Sequence, residues 1–225
     1  SAGRHAIVEI NSETDFVAKD ENFSGFADLV AATILSEIPA DLDALMGLDV
    51  GGEEIETQRK ALIATVGENI NVRRFQVLES QGTVGAYSLM GRIGVLVELE
   101  GGDEVLAKDL AMQVAANAPR HVGPDDIPAA ELDKEREILT AQALAEGKPE
   151  EIVAKMVEGR LRKHLDQVTL LGQEFVQDPD KRVRDLLAAA GATVKGFVRF
   201  EVGEGIEKKA DDFVQEVMAQ ASQSR

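Results

Sequence analysis

Two apolar periods alternate along this chain, and their order leaves few folds open. Stretches with apolar residues three and four apart predict helices, and stretches alternating every second residue predict strands. Arg4 to Ile10 predicts a strand, and Phe23, Phe26, Val30 and Ile34 define one buried face of a helix after it. Pro39 to Gly52 is punctuated by Pro and Gly and reads as a loop. A second helix carries Ile55, Leu62 and Val66 and stops at Gly67. Three strands follow, Val72 to Glu79, Thr83 to Ser88 and Ile93 to Leu99, the last apolar enough to be central.

The order then begins again. Asp103 opens a helix with Leu106, Leu110 and Val114, ending before Pro119. Asp178-Pro179 reads as N-cap and first helical position of another, with Val183, Leu186, Leu187 and Ala190 inward and Gly191 closing it. In the strand Thr193 to Val202, Val194, Val198, Phe200 and Val202 alternate with Lys195, Arg199 and Glu201, one dry face and one wet. The repeat suggests an internal duplication; one continuous α+β domain is the alternative.

Between the halves, Glu131 to Glu146 and Glu150 to His164 are helical on either side of Gly147-Lys148-Pro149, the punctuation of a helical hairpin. Leu132 and Leu139 line one arm; Ile152, Val153, Met156 and Val157 line the other. Each arm would run about 24 Å at 1.5 Å per residue. The hairpin should project, because neither arm is apolar all round; two ordinary core helices are the alternative. Ile206, Ala210, Phe213 and Val217 give the tail an amphipathic face, which packs on its own domain or on a partner.

Composition limits the chemistry. The chain of 225 residues lacks Cys, which excludes disulfides, Cys-ligated zinc and thiol catalysis. His5, His121 and His164 form no metal-binding pair, and no phosphate-binding or nucleophile-elbow motif is present. No metal, no cofactor and no enzyme class is expected. A net charge of −17 opposes nucleic acid and anionic membranes. No apolar run approaches the ~20 residues that span a bilayer, and the chain reads as soluble and cytoplasmic. Ser1-Ala2-Gly3 reads as a chosen or protease-made start, not a natural initiation site.

Thr14-Asp15-Phe16-Val17 stands out. Either Asp15 caps the next helix and Phe16 folds back as a staple, or Phe16 is an exposed anchor for another protein. By composition, burial is the more usual fate of a large aromatic.

Five segments in order resemble the elongation factor Ts family. They are Thr14 to Asp20 (TDFVAKD), Val66 to Arg74 (VGENINVRR), Arg92 to Val97 (RIGVLV), Lys155 to Arg160 (KMVEGR) and Gly196 to Lys208 (GFVRFEVGEGIEK). The resemblance implies an α+β fold of two related subdomains, each a small antiparallel sheet packed with helices. It places these at residues 1–88 and at 89–130 with 166–205. It makes residues 131–165 an inserted coiled-coil hairpin and 206–225 a C-terminal helical module. It implies a guanine-nucleotide exchange factor for the translation GTPase EF-Tu, met in its GDP-bound or nucleotide-free form. Thr14, Asp15, Phe16 and Val17, with Val66 and Gly67, would then disturb the GTPase's Mg²⁺ and phosphate site. Ile206, Phe213 and Val217 would serve the C-terminal contact. Family members begin with a small helical domain that this sequence lacks, which implies an N-terminally trimmed form. Leu89 stands where the family often has His, so a contact through that imidazole has no counterpart here. A non-catalytic scaffold and a small-molecule enzyme on the same fold are the rival readings.

Overall fold

Strand β1 (Arg4–Asn11) is covered on both faces, and this decides the architecture. Ala6, Val8 and Ile10 pack on a first core, while Ile7 meets Leu96 and Val198 of a second sheet. The computed structural model describes residues 3–147 and 149–206, and within them the chain is an α+β fold of helices and small antiparallel sheets.

The first core lies under β1 and its antiparallel partner β4 (Asn71–Glu79). Helix α1 (Glu21–Glu37) buries Phe23, Phe26, Val30 and Ile34 there, as their spacing predicts. Its N-cap is Asp20, whose carboxylate accepts from the backbone N–H groups of Asn22 and Phe23 at 2.9 and 3.3 Å. The segment expected as a loop contains α2 (Leu42–Met46) and a small hairpin of β2 (Asp49–Val50) and β3 (Glu53–Glu54). Asp41 caps α2, and Gly51 and Gly52, both at positive φ, make the tight turn. Leu45 is fully buried and fastens this segment to the core. Helix α3 (Ile55–Val66) ends at Gly67 in the left-handed conformation, as expected.

The second sheet has the order β5 (Thr83–Leu89), β6 (Ile93–Glu100), β9 (Thr193–Glu201), all antiparallel, with β6 central. The β5–β6 ladder crosses residue 88, so Thr83–Leu89 belongs with the second sheet, not with the strands before it. Helix α4 (Glu104–Asn117) crosses β5 so closely that a Cβ on Gly85 would lie 2.1 Å from the Ala107 backbone. Leu110, Val114, Leu170 and Val183 fill the core beneath. Within it Gln113 is saturated: its amide N donates to Gln173 Oε1 (3.0 Å) and the Glu174 carbonyl (3.1 Å), and its Oε1 accepts from Val176 N (2.7 Å).

Helices α5 (Ala129–Ala145) and α6 (Glu150–Val168) pack on each other around Leu139, Ala143, Val153, Val157 and Leu161. Ile152, expected inside, is exposed. These residues form a cluster separate from both cores. Replacing residues 132–164 by a short Gly/Ser linker is therefore expected to leave the remainder folding cooperatively, with an unfolding midpoint within a few degrees of the parent. Loss of the thermal transition would place the hairpin in the core.

Two expectations are corrected. Asp178-Pro179 does not start a helix. Asp178–Arg182 is strand β8, paired with β7 (Glu174–Phe175), and α7 (Val183–Ala190) begins only after it, with Ala190 exposed. Arg182 is held by Asp166 of α6 at 2.7 Å and by the Gly172 carbonyl at 3.2 Å, which keeps this segment extended. A Pro is tolerated in so short an exterior ladder. The alternation of β9 is also broken. Glu98 pairs with Gly196 but Leu99 with Val194, so Lys195 is the extra residue of a bulge. Val194 and Phe197 therefore face the second core, while Val198 and Phe200 face the first sheet, and Arg199 is largely buried, not wet. Of the tail's apolar residues only Ile206 is described; Ala210, Phe213 and Val217 lie outside the described residues.

Candidate functional site

The segment between β1 and α1 is built from its hydrogen bonds outward. Ser12 Oγ donates to the Thr14 carbonyl at 3.0 Å. Thr14 donates twice to the carboxylate of Glu68, from its backbone N–H at 2.9 Å and its hydroxyl at 2.6 Å. Asn69 N–H returns a bond to Glu13 Oε1 at 3.2 Å. Glu68 directly follows the left-handed cap Gly67, so the end of α3 and the loop after β1 are stitched together. Bonds to a charged acceptor are among the stronger ones available to a loop.

A short 3-10 turn, Val17–Lys19, leads from this anchor into α1. Val17 is buried in the first core, packed with the residues of α1 and α3. Its neighbour Phe16 is thereby turned outward and is 82% exposed. The staple reading is thus overturned: Asp20 caps the helix, and Phe16 does not fold back. Asp20 wins because it stands three residues before Phe23, where the buried face begins. Asp15 lies 3.7 Å from Lys19, both well exposed, a pairing of little energetic weight.

The Thr14–Glu68 bonds set the loop after β1 against the end of α3. Val66 is partly buried and Val17 buried with the first core, while Asp15, Phe16 and Gly67 are exposed. Arg59 braces the same edge, donating to Glu56 at 2.8 Å and to the Ile70 carbonyl at 2.5 Å. The Arg59 hydrogen bond, helped by Lys60, holds Glu56 down to about 2. Glu68 and Glu13 escape sequence reading; only their places beside Gly67 and Thr14 mark them.

A cleft of about 900 Å³ opens beside the loop, floored by β1 and the second sheet. Its far rim is the β5–β6 turn, where Arg92 N–H donates to the Leu89 carbonyl at 2.9 Å. Met90 and Gly91 occupy that turn at φ 53° and 69°, and Met90 is 89% exposed. Among the described residues no cluster of His, Asp and Glu suits a metal ion, and no helix is long and apolar enough to cross a membrane.

Phe16 is thus an aromatic held outward on a pinned loop, and aromatic residues including Phe are enriched at the cores of protein–protein interfaces. The family model for elongation factor Ts matches residues 13–204. Elongation factor Ts of Thioalkalivibrio sulfidiphilus (strain HL-EbGR7) is 58% identical over 98% of this chain and 76% of its own length. Those of Alkalilimnicola ehrlichii (57%, over 96% and 74%) and Legionella pneumophila strain Philadelphia 1 (51%, over 95% and 74%) are similar along the same span. The chain belongs to the elongation factor Ts family.

Proposed function

We propose that the chain is a guanine-nucleotide exchange factor for EF-Tu in translation elongation, acting in the cytoplasm without covalent chemistry. The Asp15-Phe16 loop inserts into the GTPase and disturbs its Mg²⁺ and phosphate site, and Gly67 and Val66 press beside it. The family supports the partner, and the exposure of Phe16 on a loop tied to Glu68 carries the residue assignment. We read residues up to the turn at Gln81-Gly82 and those from β5 onward as two subdomains, with the hairpin inserted in the second and the chain beyond Ile206 as a C-terminal module.

An exchange factor works by linkage. It must bind the empty or distorted GTPase better than the filled one, and factor and nucleotide then weaken each other by the same ratio. A side chain wedged between helices stabilises a form of the GTPase in which Mg²⁺ and the phosphates are poorly held. No bond is made or broken.

The test is release of a fluorescent GDP from EF-Tu with and without the chain. Substoichiometric acceleration is expected. Binding without acceleration would make the protein a scaffold. Turnover of a small molecule without EF-Tu would make it an enzyme.

A further inference from the structure

On the face of β1 that looks away from the first core, Glu9 is only 3% exposed. Its Oε1 accepts from Arg73 Nη1 and from the backbone N–H of Gly203, both at 2.9 Å, and its Oε2 accepts from Arg74 Nε at 2.5 Å. Two consecutive strand residues would ordinarily face opposite ways. Here Glu9 pairs with Arg74 and Ile10 with Val72, so Arg73 is the extra residue of a bulge and both guanidinium groups reach one carboxylate. The arginines then hold the chain that leaves β9. Arg73 Nη2 donates to the Glu204 carbonyl at 2.5 Å, and Arg74 Nη2 donates to the Glu201 carbonyl and the Glu204 carboxylate, each at 3.3 Å. Arg74 also stacks over the Phe200 ring at 4.3 Å. Burial pushes the Glu9 carboxyl up, but the bonds from Gly203, Arg73 and Arg74 outweigh it and hold it below the usual carboxylate range.

A buried ion pair is a poor way to add stability, because desolvation offsets most of its attraction. What it supplies is direction: an apolar contact can slide, whereas a carboxylate saturated by three donors has one geometry. This cluster joins the strand that feeds the Phe16 loop to the last turn before Ile206. We infer that Glu9 is a positioning residue, whose grip on Arg73, Arg74 and Gly203 fixes where the chain beyond Ile206 leaves the core relative to Phe16, so that loop and tail meet one partner together. The functional half of this rests on the exchange-factor reading. Two linked contacts reinforce each other only when their geometry permits simultaneous engagement.

The chain has no cysteine, so nitroxides can be placed cleanly through Ala32→Cys on the exposed side of α1 and Ile206→Cys at the half-exposed end of the turn. A single narrow distance distribution is expected from the free protein, broadened by Glu9→Gln. In GDP release, Glu9→Gln is expected to lose about tenfold in the full chain and nothing further in a chain lacking residues 206–225. A distribution unaffected by Glu9→Gln, or an equal loss in the truncated chain, overturns the assignment. Should Glu9→Gln fail to fold, Glu204→Gln, at an exposed carboxylate of the same cluster, is expected to broaden the distribution to a lesser degree, and an unchanged width overturns it equally. If the parent chain does not accelerate GDP release at all, the exchange reading falls, while the distances still decide the positioning role.

Discussion

Phe16→Ala is expected to slow catalysed GDP release from EF-Tu by more than tenfold and to leave the unfolding midpoint of this protein unchanged. The ring is 82% exposed, so its removal opens no cavity, and surface substitutions of that kind usually stay within about 0.5 kcal/mol. Truncating a central aromatic anchor, by contrast, typically costs ~2 kcal/mol or more of binding, which is roughly thirtyfold. Asp15→Ala should be similar or milder, because among the described residues its one charged partner is an exposed lysine. Glu68→Gln keeps Phe16 but removes the charge on which both Thr14 bonds end, so an intermediate loss is expected from a loosened loop. The measurements are stopped-flow release of fluorescent GDP and thermal denaturation of each variant. Unchanged exchange with a lowered midpoint would make Phe16 a structural residue.

The opposite burial of Phe16 and Val17 shows where sequence reading reached and where it stopped. Helical faces such as Phe23, Phe26, Val30 and Ile34 were legible because every fourth residue reports the same side. Strand faces were less so, because one extra residue inverts everything beyond it. Val194 and Val198 look equivalent in sequence, yet the bulge at Lys195 sends them to different cores. The bulge at Arg73 that gathers two arginines on Glu9 leaves no local mark either. Asp178-Pro179 carries a genuine helix-start signal, but Asp166 and Gly172 hold Arg182 and the ladder prevails. For the loop itself, the choice between staple and anchor turned on which Asp caps α1. Both candidates precede an apolar run; Asp20 takes the cap because it stands three residues before the buried Phe23, and the contact of Thr14 with Glu68, 54 residues away, pins the loop before it.

Removing residues 206–225 is expected to cost about tenfold in catalysed exchange, roughly 1.4 kcal/mol, while shifting the unfolding midpoint little. Among the described residues the second sheet is β5-β6-β9, with β6 paired on both edges and β9 ending at Glu201. Among the described residues the second core is built around Leu110, Val114, Leu170 and Val183, all from elements before Ile206. Gly203 and Glu204 are themselves held by Glu9 and Arg73, so truncation after residue 205 leaves that anchorage in place. Ile206 is 50% exposed, the first member of the stripe that Ala210, Phe213 and Val217 continue in sequence. On the proposed reading this stripe serves another protein, since in a helix such a stripe supplies anchors for a groove. The competing account packs Phe213 and Val217 on the second core. It requires a fall of many degrees in melting temperature on truncation, because losing two buried side chains of that size costs several kcal/mol. Comparing melting temperature with exchange per folded molecule separates the two. A large fall in the first with the second unchanged would refute docking of the tail on EF-Tu.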